Sequence, residues 1–422
     1  MSPQALLDAA ADLLRAALRF DHPADAVVSH YFREHHHLGP RERAVLAETA
    51  YAVLRRKPLF DHFAISGTGP RERRLAILGF AAPREFLLAA LNLAERDWLA
   101  GCDAVDVALL PPACRHNLPN WLAERLTAQW GAQQFDPLAA ALLQPAPLDL
   151  RVNTLQGKRD AVRDELRAAG IAAEPTPYSP WGLRAEGKPA INRTDAFRRG
   201  AVEVQDEGSQ LLALLTDARR GQMVADFCAG AGGKTLALGA AMRSTGRLYA
   251  FDVSAHRLAA FKPRLARSGL SNVYPVAIAH ERDERIKRLA GKMDRVLVDA
   301  PCSGLGTLRR NPDLKWRQPE SAIAELSAKQ TAILSGAARL VKPGGRLVYA
   351  TCSLLTDENE AIAAAFDAAH PDFAPAPIAD TLQALKVPDA AALCGDNGLY
   401  LRLWPHRHAT DGFFAAAWTR RE

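Results

Sequence analysis

Beyond Gly221 the chain alternates at close intervals between short apolar runs and longer stretches of helical spacing. The runs fall at 223–227, 247–251, 273–279, 295–298 and 346–350, and helical stretches such as 254–268 and 319–341 lie between them. Strands separated by helices cannot be joined as tight hairpins. They have to lie mostly parallel, with right-handed crossovers covering both faces of one sheet. The expected fold is therefore α/β, a Rossmann-like, doubly wound sheet. Two late runs, at 399–404 and 413–418, are close enough to form a C-terminal antiparallel hairpin that closes it.

The preceding chain reads differently. Helical spacing begins at Ala5-Leu6-Leu7 and resumes at Arg41 just after Gly39-Pro40, and the alanine- and leucine-rich texture continues from Arg71 to Leu99. Leu148-Asp149-Leu150-Arg151-Val152-Asn153 then alternates like a strand, with a helical stretch at 158–169 behind it. Three domains are expected: a helical one over 1–140, a small α+β unit over 141–215, and the doubly wound sheet over 216–422. A length of 422 residues with 48% hydrophobic content supports several cores. The net charge of +6 favours a polyanionic partner without establishing one. No apolar run is long enough for a membrane span, and the N-terminus lacks the pattern of a secretory signal. The 6 cysteines are too sparse for a disulfide scaffold and fit reduced thiols in a cytoplasmic protein.

Two of those cysteines carry the chemistry. Cys302 in Asp299-Ala300-Pro301-Cys302-Ser303-Gly304 and Cys352 in Thr351-Cys352-Ser353 each follow a strand-like run. Ligands of open α/β sheets gather outside the carboxyl ends of the strands, so two such thiols are expected to face one pocket. A single buried cysteine is ordinarily a small hydrophobe. Two at strand ends, beside proline and threonine, point to a covalent intermediate that is both made and released.

A second motif, Asp226-Phe227-Cys228-Ala229-Gly230-Ala231-Gly232-Gly233-Lys234-Thr235, joins the first of these strands to a helix. Its glycines let a ligand approach the backbone and the helix N-terminus offers unpaired N–H groups. A phosphate loop for ATP needs glycine where Cys228 stands, and the dinucleotide pattern fails at Thr235. The third candidate is S-adenosylmethionine, with Cys228, Ala229, Gly230, Ala231, Gly232, Gly233 and Lys234 as its cradle; the alternative is a plain tight strand-to-helix turn. Asp252, at the end of the next strand, stands where a ribose hydroxyl would be bound.

These motifs together resemble the RsmB/Nop2/Sun family of RNA 5-methylcytosine methyltransferases. Val202-Glu203-Val204-Gln205-Asp206-Glu207-Gly208, Arg309-Arg310-Asn311-Pro312-Asp313 and Asp411-Gly412-Phe413-Phe414 agree with it. The resemblance runs from Trp121 to the C-terminus. More weakly, the helical region resembles the NusB-like RNA-binding domain of bacterial 16S rRNA members. The resemblance implies a class I methyltransferase fold with S-adenosylmethionine as methyl donor. Cys352 would be the nucleophile at cytosine C6, and Cys302 would assist release. Asp299 would touch both cofactor and base, suitably placed for the cytosine N3/N4 edge. Ala231 departs from the family's proline. Where the family has an aspartate facing adenine, alignment places His280 or Glu281, and the adenine contact stays unassigned.

RNA is the expected partner, 16S rRNA foremost, with tRNA or another RNA as the alternative. A target base has to be presented unstacked. Arg309, Arg310, Lys315, Trp316 and Arg317 combine charge with an aromatic ring, and Arg151 and Asn153 are similar candidates by resemblance. A DNA cytosine methyltransferase would use only the Pro-Cys thiol, and Thr351-Cys352 and the helical module speak against it. A non-catalytic assembly factor would need no thiol pair. His35-His36-His37 and His406-Arg407-His408 lack a metal-ligand pattern, and no metal is expected. Nothing in the sequence requires more than a monomer.

Overall fold

The computed structural model describes residues 1–395 and 397–422. The chain divides into two units, one of Met1–Pro145 with Thr307–Glu320, the other of Ala146–Gly306 with Ser321–Glu422.

The first unit is helical. Its opening helix, Pro3–Ala17, starts where the Ser2 hydroxyl accepts the Ala5 N–H at 3.3 Å, and it buries Leu6, Leu7, Leu13 and Leu14. These pack with Leu46 and Val53 of the helix Pro40–Arg55 and Leu75 of Arg71–Gly79. Asn92 and Glu95 form a capping box, and Glu95 also takes the Arg73 guanidinium at 2.6 Å. The segment 307–320, expected in the sheet domain, belongs here instead. Buried Lys315 donates to the carbonyls of Arg55 at 2.8 Å and Asn117 at 2.7 Å. The Trp316 indole donates to Leu54 O at 2.7 Å, and Asp313 accepts the Ala24 N–H at 3.1 Å. A lysine amino group sealed among helix-end carbonyls leaves no sequence pattern, which is why this docking is invisible until the chain folds.

The second unit holds two sheets. The smaller is antiparallel, built from β1 (Leu148–Val152), β2 (Ala173–Pro175), β3 (Gly182–Ala185) and β4 (Val202–Val204) in the order β2-β3-β1-β4. The larger contains β5 (Met223–Asp226), β6 (Arg247–Asp252), β7 (Val273–Ala277), β8 (Met293–Asp299), β9 (Val341–Thr351), β10 (Phe373–Pro375), β11 (Leu401–Leu403) and β12 (Phe413–Arg420). Its order is β10-β12-β9-β8-β5-β6-β7, with β11 paired to β12. Strands β5 to β9 run parallel, and β12 closes the sheet antiparallel to β9 and β11. The helix expected over 319–341 is shorter, Ala322–Ala338, because β9 already pairs Val341 with Met293. The chain moves outward from β5 through β6 to β7, then returns to β8 on the other side. This reversal makes the crevice between β5 and β8 the binding site of a doubly wound fold.

The smaller sheet is not a separate body. Asn153 Nδ2 donates to Gly200 O at 3.0 Å and to Ser268 O at 2.9 Å, and Glu203 binds Arg264 and Arg267 from the helix Ala255–Ser268. At the far edge Trp418 is 1% exposed, its ring 4.6 Å from that of Phe366, with the indole N–H bonded to Asp367. Trp418→Ala removes a ring and orphans a carboxylate. It should cost about 3–5 kcal/mol, read as a lower urea midpoint with unchanged slope.

Candidate active site

The glycine loop leaves β5 and turns into the helix Gly233–Ala241. Gly232 has φ +80°, and a Cβ there would lie 2.0 Å from the Phe261 ring, so only glycine fits. Among the described residues no side chain caps this helix, which leaves its first N–H groups for a ligand. Above Gly230 a Cβ would meet open space. Asp252 at the end of β6 accepts Gly230 N at 2.8 Å through Oδ2 and Ser254 N at 2.7 Å through Oδ1. The cradle thus combines an open, glycine-lined turn with a carboxylate at the neighbouring strand end, a fit to the amino-acid end and ribose of S-adenosylmethionine. Past β7, His280 is exposed and its Nδ1 accepts the Arg282 N–H at 3.1 Å.

Behind the loop the buried Asp226 carboxylate accepts the Thr235 hydroxyl at 2.7 Å through Oδ2, while Oδ1 has no hydrogen-bond partner among the described residues. Desolvation pushes its pKa up from 3.8 to about 7, against the Thr235 bond that lowers it. Arg264, bound to Glu203, donates to Ala231 O at 2.6 Å and braces the loop from outside. Sequence reasoning missed Asp226, Thr235 and Arg264 as supports. The spacing Asp226…Thr235 was in view, but nothing in it shows that the two ends of the loop bond each other.

The reacting groups gather at the ends of β8 and β9. Lys234 Nζ meets Asp299 Oδ2 at 2.6 Å, with the lysine side chain 12% exposed and the aspartate 30%. Desolvation opposes the Lys234 charge, but Asp299 outweighs it and the pKa is raised, with Cys352 also contributing. The Cys302 and Cys352 sulfurs lie 3.4 Å apart, both half-buried. Cys302 is held well above the usual thiol value, first by its hydrogen bond to Cys352 and then by burial. Cys228 is likewise kept a thiol, by desolvation before anything else. Gly306 closes the site: its N–H donates to Cys352 O at 2.8 Å, and a Cβ would fall 2.1 Å from Gly412 O.

The structure brings Cys302, Cys352, Asp299 and Lys234 together, with Asp252 and the glycine loop at adjacent strand ends. The expected RNA contacts are placed otherwise. Arg151 is 2% exposed, its Nε bonded to Gln205 Oε1 at 2.6 Å, and desolvation lowers its pKa to about 10. With Asn153 it is an internal tie of the small sheet, not an RNA-facing side chain. Arg309, Arg310 and Trp316 lie in the helical unit. There Arg309 is buried and its carbonyl accepts from Arg55 at 3.0 Å, Trp316 is bonded to Leu54, and Arg310 stays partly exposed. Charge and aromaticity drew attention to these residues, but burial decides what they do.

Fold and site define an S-adenosylmethionine-dependent methyltransferase. The model of the family described as 16S rRNA methyltransferase RsmB/F matches residues 213–419, and that of the RsmF/B-like ferredoxin-like domain matches 118–192. A probable ribosomal RNA small subunit methyltransferase B from Synechocystis is 32% identical, over 96% of this chain and 97% of the relative. Another, from Bacillus subtilis, is 31% identical over 82% of this chain and 76% of its own. The crystal structure of PH0851 superposes with a TM-score of 0.81 at 26% identity, covering 99% of both chains. The chain belongs to the RsmB/Nop2/Sun family.

Asp226 yields a pH prediction. A carboxyl whose folded pKa exceeds its unfolded value binds its proton more tightly when folded. Its stabilising effect is full at low pH and is lost as pH rises from 3.8 to about 7. The melting temperature of wild type relative to Asp226→Asn should therefore fall across that window and level off above it. A constant difference from pH 5 to 8 would refute the assignment.

Proposed function

We propose that this protein transfers a methyl group to C5 of a cytosine in RNA, with small-subunit 16S rRNA as substrate, through a covalent adduct at C6. The observation that carries the reading is the pair of sulfurs 3.4 Å apart beside the Lys234–Asp299 ion pair. One thiol suffices to attack. A second at contact distance has a use only if the adduct must also be dismantled. The names of the relatives, small-subunit rRNA methyltransferases, support the choice of RNA.

C5 of cytosine is a weak nucleophile. The Cys352 thiolate adds to C6, forming a C–S bond and moving the ring electrons toward C5. The Lys234 ammonium, paired with Asp299 at 2.6 Å, supplies positive charge at the same strand ends. Bound S-adenosylmethionine supplies the electrophilic methyl group. The partly exposed Asp299 carboxylate accepts from the cytosine N4 amino group and orients the ring. Release then breaks the C6–S bond as the C5 proton passes to the Cys302 sulfur, which has given its own proton to solvent, returning the thiolate to Cys352 and giving 5-methylcytosine. Cys302, in contact with the departing sulfur, assists that step.

The test uses labelled cofactor and small-subunit rRNA with wild type, Cys352→Ala and Cys302→Ala. Cys352→Ala should give neither methylated product nor covalent RNA adduct. Cys302→Ala should accumulate an adduct that survives denaturation. An adduct retained by Cys352→Ala and lost by Cys302→Ala would reverse the roles and overturn the reading.

A further inference from the structure

One buried carboxylate ties the two cysteine loops together. Glu358 has no exposed surface and lies in the turn between β9 and the helix Glu360–Ala369. Its Oε1 accepts the Ser303 N–H at 2.8 Å and Gln330 Nε2 at 2.9 Å. Its Oε2 accepts the Ser303 hydroxyl at 2.6 Å and also the Ser353 hydroxyl. Those four donors fill the roughly four lone-pair positions of a carboxylate. Ser303 follows Cys302 and Ser353 follows Cys352, and their hydroxyls are 3.1 Å apart. The residues before the cysteines are held from the same place. Gln330 Nε2 also donates to Pro301 O at 3.0 Å, and Asn359 accepts from the Thr351 hydroxyl while donating to Ser353 O at 3.0 Å. The Glu358 carbonyl itself accepts the Tyr349 hydroxyl of β9 at 2.6 Å.

We propose that Glu358 is a positioning residue that sets the spacing of Cys302 and Cys352, acting through Ser303 and Ser353 without touching substrate or cofactor. The proposal rests on the two-thiol reading above. Burying a carboxylate is costly unless it is fully hydrogen-bonded, and an apolar side chain would serve a merely packed core. What a carboxylate offers here is four acceptor positions that pull two loops toward one point. An amide offers fewer. The side facing Ser303 N–H and Gln330 meets donors only, so the carbonyl of Glu358→Gln must take that place. Its NH2 then faces the two serine hydroxyls, which can turn and accept. The fold survives, but short charge-assisted O–H···O⁻ bonds become longer N–H···O bonds and the loops move apart.

The test pairs two readouts on Glu358→Gln and Ser353→Ala. A trivalent phenylarsenical binds two thiols at once, so its affinity reports sulfur spacing independently of methyl transfer. Cys302→Ala and Cys352→Ala serve as its zero points. Both variants should bind it at least about tenfold more weakly than wild type. Their kcat for methyl transfer should fall about 100-fold, with KM for rRNA and cofactor within about twofold of wild type. Unchanged arsenical affinity and kcat in either folded variant overturns the proposal. If Glu358→Gln does not fold, Ser353→Ala, which deletes one hydroxyl, decides alone. Weakened arsenical binding in a protein whose wild type makes no 5-methylcytosine would sustain the positioning and sink the functional reading instead.

Discussion

The site depends on the parallel register of three adjacent strands. Asp226 of β5 pairs with Leu297 of β8, Leu297 with Val348 of β9, and Asp299 with Ala350. Neighbouring strands lie about 4.8 Å apart, so whatever follows their carboxyl ends is forced into one small volume. Cys302 comes three residues after Asp299 and Cys352 two after Ala350, and both overhang the same edge. The glycine loop departs from the same edge, one strand away. Sequence separation of 50 residues between the cysteines becomes 3.4 Å between their sulfurs through register alone.

Their surroundings then set these neighbours apart. Lys234 stays an ammonium despite desolvation because Asp299 pairs with it. Cys302 is held above the usual thiol value first by its hydrogen bond to Cys352 and then by burial, and Cys228 by desolvation. Cys352 lies 3.4 Å from the Cys302 sulfur, at the same strand ends as the Lys234–Asp299 pair. The asymmetry between two chemically identical side chains is a property of their surroundings.

The sheet was legible in the sequence because its signals are local. Five β-like runs separated by helical spacing imply parallel strands, and Leu401–Leu403 and Phe413–Arg420 do form the late antiparallel pair. The glycine loop was legible for a related reason: glycine at Gly232 is required by residue type at a fixed place. Arg151 and Lys315 were misjudged because a cation reads as exposed by default. Nothing local tells that Arg151 has Gln205 as partner, or that Lys315 is enclosed by two backbone carbonyls. The division of 307–320 from the residues around it was hidden by the same kind of long-range pairing.

Those hidden pairings share a physical pattern. Glu203, Asp226, Arg151 and Glu358 are charged or titratable side chains buried next to loops that carry function. Apolar residues at those positions would serve stability as well or better, since burying such groups seldom stabilises a fold. Hydrogen bonds, unlike apolar contacts, have fixed length and direction. Methyl transfer from a sulfonium demands reacting atoms held within a few tenths of an ångström. The fold therefore carries buried polar groups where a loop must be held at one distance, as Arg264 holds Ala231 and Glu358 holds Ser303 and Ser353. Elsewhere, as around Trp418 and Phe366, dispersion and the hydrophobic effect suffice.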